Sequence, residues 1–129
     1  PPQLFDGKMG RWVNLRDTYS ADINGLVSLS IAFDLTMAVL PPAGDDQVIL
    51  SSGGTRGNYD TRVESLRLSV LNGQVRGKLT TIGNVVNLTL PITTGAHHVV
   101  LAYDGSTVTL TLDGATVSTL ATGTIKQGF

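Results

Sequence analysis

Residues 97–117 read HHVVLAYDGSTVTLTLDGATV, in which two Asp-Gly dipeptides separate runs of alternating apolar and polar residues. Asp-Gly readily adopts the positive φ angles of a two-residue hairpin turn, and Val, Thr, Leu and Tyr are typical strand residues. We therefore predict three consecutive antiparallel strands joined by turns at Asp104-Gly105 and Asp113-Gly114.

Two-residue turns also predict which residues lie opposite each other in these hairpins. The first turn would place Leu101 opposite Val108, and the second would place Leu110 opposite Val117. Both hairpins then bury the same apolar face.

A third hairpin is predicted around Asn72-Gly73. Its register pairs Leu66 with Leu79 on an apolar face and Arg67 with Lys78 on a polar face. Two cations directly opposite each other are mildly destabilising, so this pair needs a structural explanation.

The remaining strands follow from alternation and from turn residues. Residues 27–37 alternate apolar and polar side chains and end before Pro41-Pro42, and shorter strands are predicted at residues 11–15, 47–51 and 84–90. About nine short strands without a convincing helix are typical of a sandwich. The predicted fold class is all-β, an antiparallel two-sheet sandwich.

Length and charge limit the function classes. With 129 residues the chain is expected to form one domain, residues 1–129, which we interpret as part of a larger protein or assembly because it begins Pro1-Pro2. The net charge of −1 argues against nucleic acid as a partner, and no apolar run is long enough for membrane insertion. The absence of cysteine excludes disulfides.

Four segments, in order, resemble the laminin-G-like, concanavalin-A-like jelly roll: Leu4-Phe5-Asp6-Gly7 with Trp12-Val13-Asn14-Leu15, Leu29-Ser30-Ile31-Ala32-Phe33, His97-His98-Val99-Val100-Leu101-Ala102-Tyr103-Asp104-Gly105, and Leu112-Asp113-Gly114. The resemblance implies a jelly roll used for extracellular, cell-surface or virion-surface recognition. Two departures are that Ala96 stands where the family commonly has Trp, and that the chain ends at Phe129 without the family's closing strand. A sandwich without that strand would have an open edge.

Catalysis is not expected. The carboxylate pairs Asp45-Asp46 and Asp60 with Glu64 do not have the close strand spacing of a retaining glycosidase, and Glu64 is the only Glu. His97 and His98 are adjacent on a strand and point to opposite faces, so they cannot both bind one metal ion. One is expected to be packed and the other exposed.

The strongest binding candidate is the Gly-rich loop at residues 51–62. Its ligand-binding candidates are Arg56, Asn58, Tyr59, Asp60 and Arg62, which combine bidentate hydrogen bonding with aromatic stacking on a sugar face. The alternative is a solvated connector whose glycines permit its turns.

The cations Arg67, Arg76 and Lys78 follow this loop and share one predicted face. Such a face suits an acidic glycan or an acidic protein, whereas a solvated face that resists aggregation is the alternative. No cofactor or metal is predicted. The family resemblance leaves calcium open, with Asp45, Asp46 and Asp60 as donors, but their spacing forms no specific motif.

These observations favour a non-catalytic, carbohydrate-binding, lectin-like domain whose partner is a glycan or a protein. The alternative is a structural, assembly or adhesion domain that uses an open sheet edge as its interface, as a homo-oligomer or in a larger assembly.

Overall fold

A computed structural model describes residues 26–52 and 66–125. Eight strands occur in these ranges: β1 (Leu29–Met37), β2 (Gln47–Ser52), β3 (Leu66–Leu71), β4 (Gln74–Thr80), β5 (Val85–Pro91), β6 (Gly95–Tyr103), β7 (Thr107–Leu112) and β8 (Ala115–Leu120). No helix is present in the described ranges. The all-β prediction is confirmed, while the strand predicted at residues 11–15 lies outside the described residues.

The strands form two antiparallel four-stranded sheets. The first sheet has the order β1-β6-β7-β8, and the second has the order β2-β3-β4-β5. Strand β5 of the second sheet packs against β7 and β8 of the first. The predicted two-sheet sandwich is therefore present, with β5 and β8 as edge strands on the same side.

Period-two alternation builds the core between the sheets, because successive strand residues point to opposite faces. Inward-facing residues of both sheets are fully buried: Leu66, Leu68, Val75 and Leu79 from the second sheet, and Val99, Leu101, Val108 and Leu110 from the first. Gly77 lies among them on β4. A Cβ at this position would lie 3.0 Å from Leu101 Cδ1, so the missing side chain gives Leu101 of the opposite sheet its space.

The Asn72-Gly73 hairpin has the predicted register. Val70 lies opposite Val75, Leu66 opposite Leu79 and Arg67 opposite Lys78. Asn72 and Gly73 have φ angles of 51° and 71°, as a type I′ turn requires.

The Asp113-Gly114 hairpin is also confirmed. Leu110 lies opposite Val117, and the turn residues have φ angles of 50° and 88°. Together, these two turns show that local dipeptide chemistry can specify register when both central residues adopt positive φ.

The predicted register at Asp104-Gly105 is wrong. Leu101 lies opposite Leu110 instead of Val108, and Tyr103 lies opposite Val108. The Asp104 carboxylate accepts hydrogen bonds from the N–H groups of Ser106 (2.9 Å) and Thr107 (2.7 Å), and the Asp104 N–H donates to the Thr107 carbonyl (3.2 Å). The turn therefore lies one residue further along the chain, at Gly105-Ser106. The register moves by two residues, so the same side chains still face the core.

A junction beside the β5 and β8 edges joins the β4–β5 turn to the segment after β8. The Asn84 side chain accepts a hydrogen bond from the Thr122 N–H (2.9 Å), and Ile82 N–H donates to the Thr124 carbonyl (3.0 Å). The Tyr103 hydroxyl donates to the Gly123 carbonyl at 2.5 Å. These bonds hold residues 81–85 against residues 121–125.

Candidate functional site

The outer surface of the second sheet carries two rows of side chains that cross its four strands. Aligned residues form one row of Ser51, Arg67, Lys78 and Asn87 and a second row of Val48, Ser69, Arg76 and Thr89. We call these eight residues the polar face. Neighbouring strands lie about 4.8 Å apart, so side chains in one row are close enough to contact one ligand together.

The three described cations of the predicted site thus lie together. Arg76 and Lys78 are two residues apart on β4, and Arg67 is directly opposite Lys78 on β3. Arg56, Asn58, Tyr59, Asp60 and Arg62 lie outside the described residues, so their role stays a prediction.

Asp46 offsets the charge repulsion between Arg67 and Lys78. Its Oδ2 accepts a hydrogen bond from Arg67 Nη2 at 2.7 Å, and the two side chains are only 25% and 13% exposed. This carboxylate balances one of the two opposed charges. Sequence reasoning missed the ion pair because Asp46 precedes β2, and only the pairing of β2 with β3 brings it near Arg67.

Two polar atoms of this region are buried without a hydrogen-bond partner: Ser69 Oγ and Asp46 Oδ1. Ser69 is fully buried although it lies on the outer face. A buried polar group without a partner costs about 1–3 kcal/mol.

His97 belongs to the framework of the first sheet. Its Nδ1 lies 2.5 Å from Asp113 Oδ2, and its Nε2 lies 2.7 Å from the Thr93 carbonyl oxygen. The hydrogen bond to Asp113 and then that to Thr93 raise the pKa of His97, since both stabilise the imidazolium. The same ring lowers the pKa of Asp113, together with the His98 backbone N–H.

His98 has a separate partner. Its Nδ1 lies 2.8 Å from Asp34 Oδ1 on β1, and its side chain is 57% exposed, against 10% for His97. The prediction of one packed and one exposed histidine is confirmed. Each ring contacts a different carboxylate, so the pair does not form a shared metal site.

The carboxylates considered for calcium are not clustered in the described structure. The N–H of exposed Asp45 donates to the Pro42 carbonyl at 3.0 Å, Asp46 binds Arg67, and Asp60 lies outside the described residues. Within residues 26–52 and 66–125, no three His, Cys, Asp or Glu side chains lie close enough to hold a metal ion. The same ranges contain no helix long and apolar enough to cross a membrane.

Comparison with known proteins identifies the fold. No protein-family profile matches the chain, and neither does any curated protein sequence. Among solved structures, domains LG4-5 of the mouse laminin α1 chain superimpose with a TM-score of 0.60 and 14% sequence identity. The match covers 78% of this chain and 26% of the solved LG4-5 chain, so it spans about a quarter of that structure. The chain therefore has a laminin-G-like jelly-roll fold, as its sequence motifs predicted.

Proposed function

We propose that this chain is a non-catalytic recognition domain that binds an acidic carbohydrate through the polar face. The supporting observation is the alignment of Arg67, Arg76 and Lys78 on neighbouring positions of β3 and β4, flanked by exposed Asn87 and Thr89 on β5. The proposal places the domain at a cell or particle surface, where such glycans occur.

The residue types suit sulfate or carboxylate groups on a sugar chain. Guanidinium groups donate bidentate hydrogen bonds to such anions, while an amide and a hydroxyl bond sugar hydroxyl groups. No ion pair joins Arg76 to another described residue.

Among the described residues this surface is the outer face of a sheet, on which Arg67, Arg76 and Lys78 are partly buried. Ligand contacts there remain partly solvated, and the attraction between separated charges is screened by salt. We therefore expect modest affinity that falls as ionic strength rises, with stronger binding when several domains engage one glycan.

The test is titration of the intact chain with a heparin-type sulfated hexasaccharide, followed by calorimetry and NMR. Arg76→Gln should weaken binding about tenfold, the loss expected for one charge-assisted contact. Ala32→Glu is the matched control, because it makes the same change in net charge on the exposed outer face of β1, in the other sheet. Neutral maltohexaose should bind much more weakly.

Three results would contradict the proposal. They are no binding of the sulfated hexasaccharide, equal binding of the neutral one, or an equal loss of affinity in Arg76→Gln and Ala32→Glu. The last result would mean that binding depends on the net charge of the protein and not on the polar face.

A further inference from the structure

The four edge strands of the described sandwich differ in how they are protected from pairing with another chain. Strand β1 carries Asp34, whose side chain is 90% exposed, β2 has an irregular register between Val48 and Leu50, and β5 ends in Pro91. Charges, bulges and proline are the usual devices that block edge pairing. Strand β8, with the sequence ATVSTL, has none of them.

The unpaired backbone groups of β8 can be assigned from its hairpin. In a two-residue hairpin the residues that flank the turn, here Leu112 and Ala115, form a hydrogen-bonded pair, and such pairs then alternate. The N–H and C=O groups of Thr116, Ser118 and Leu120 therefore point away from β7. Five of the six β8 residues are exposed, so the described structure leaves this row of donors and acceptors accessible.

Three exposed apolar residues lie on the segments that border the same edge. Ile82, Val85 and Leu120 are 70%, 65% and 76% exposed. They flank the junction in which the Asn84 side chain binds the Thr122 N–H. Three of the six large exposed apolar residues of the described structure thus lie at the side where β5 and β8 form the edges.

We propose that β8 pairs with β8 of a second copy of this chain, antiparallel about a two-fold axis at Ser118. The two copies of the first sheet then form one continuous eight-stranded sheet, with about six new backbone hydrogen bonds. This interface is separate from glycan binding, since the polar face belongs to the other sheet.

The register between the two β8 strands follows from the backbone N–H and C=O groups that point away from β7, and from the alternation of side chains. Pairing about Ser118 places Thr116 of one copy opposite Leu120 of the other, so the residues that point away from β7 bond each other. It also places Val117 opposite Thr119, which keeps the core-facing side chains of both copies on one side of the joint sheet. The two sandwiches then lie side by side.

A second copy is the favoured occupant because β8 carries no charge. An uncharged strand meets itself without like-charge repulsion, and the opposed pairs are Ser118 with Ser118, Val117 with Thr119 and Thr116 with Leu120. Five paired residues from each copy form a limited interface, which predicts a weak, concentration-dependent dimer.

Sedimentation velocity of the intact chain over a wide concentration range tests the proposal. Ser118→Lys places two like charges opposite each other at the axis and should raise the dimer dissociation constant about fivefold or more. Ala32→Lys makes the same charge change on exposed β1 and should leave it unchanged. Circular dichroism checks that both variants keep their strand content.

Two further measurements test whether β8 is the strand that forms the dimer interface. The chain contains no cysteine, so Ser118→Cys introduces a single thiol. With dissolved oxygen as the oxidant, this variant should form an intermolecular disulfide faster than Ala32→Cys. The amides of Thr116, Ser118 and Leu120 should exchange with solvent more slowly at high protein concentration.

A monomer at every concentration overturns the proposal. So does a dimer that Ser118→Lys does not weaken and Ser118→Cys does not cross-link, because it would use another surface. Protection of the β8 amides at low concentration would mean that the chain covers this edge itself, which also overturns it.

Discussion

Gly77 of β4 offers a direct test of how the two sheets pack. A methyl group added there would lie 3.0 Å from Leu101 Cδ1 and 3.4 Å from Leu110 Cδ1, closer than ordinary carbon contacts. Gly77→Ala should gain about 0.4–1 kcal/mol from a stiffer unfolded chain and lose about 1–3 kcal/mol by overpacking the core. We expect a net destabilisation of about 1 kcal/mol.

A double-mutant cycle with Leu101→Ala isolates the contact. Leu101→Ala alone should cost about 3 kcal/mol through the cavity it leaves. In that background the methyl group added by Gly77→Ala enters vacated space, so the same substitution should stabilise by about 0.5 kcal/mol. The coupling free energy is then about 1.5 kcal/mol.

Urea unfolding of the four proteins measures this coupling. Val99→Ala is the matched control, since Val99 is buried on the same strand as Leu101 but is not among the three nearest neighbours of the added methyl. Its coupling with Gly77→Ala should stay below about 0.5 kcal/mol. Equal coupling at positions 99 and 101 would refute the inferred packing of Gly77 beneath Leu101.

Three further predictions concern polar contacts. Protonated His97 donates to Asp113 and to the Thr93 carbonyl, so its raised pKa gives stability that is complete below pH 6.5 and is lost as pH rises through the folded pKa. His97→Gln should therefore flatten the fall in unfolding free energy between pH 6 and 9, and parallel profiles would contradict this. Hydrogen bonds from the backbone lower the pKa of Asp104, so its contribution to folding stability is present above pH 3.8 and is lost as pH falls through its folded pKa. Asp104→Ala should therefore weaken the acid dependence of stability. Asp104→Asn should retain more of the loop's protection from hydrogen exchange. Asn84→Ala should cost about 1 kcal/mol and speed amide exchange in residues 121–125, because it removes the acceptor for that segment; unchanged exchange there would count against this role.

The three turns show why local sequence predicts register in some hairpins and fails in another. Asn72-Gly73 and Asp113-Gly114 adopt positive φ at both central residues, and their registers are as predicted. In Asp104-Gly105 only the glycine has positive φ. The following Ser106 and Thr107 supply N–H groups that capture the Asp104 carboxylate, so side-chain hydrogen bonding competes with the tight turn.

In the candidate site, too, contacts set by a nearby turn could be predicted from the sequence, whereas contacts set by the order of the strands could not. The opposition of Arg67 and Lys78 followed from a turn a few residues away. The Asp46 ion pair and the positions of Asn87 and Thr89 depend on which strands become neighbours, which alternation and turn residues do not specify. Asp113 illustrates the same limit: the turn was predicted from its dipeptide, but its carboxylate also binds His97, a contact made across β6 and the end of β7.

The two proposed surfaces also constrain each other. The polar face lies on the second sheet, while the β8 edge belongs to the first, so pairing about Ser118 does not use Arg76 or Lys78 of either copy. A dimer would then present two glycan faces, and a long acidic glycan that reaches both would bind more tightly than two separate sites. Because the hexasaccharide is too short to require both faces, Ser118→Lys should leave its affinity unchanged while weakening the binding of a long sulfated chain. If both ligands lose affinity equally, the polar face itself depends on β8, and the separation of the two surfaces argued from the sheet order is wrong.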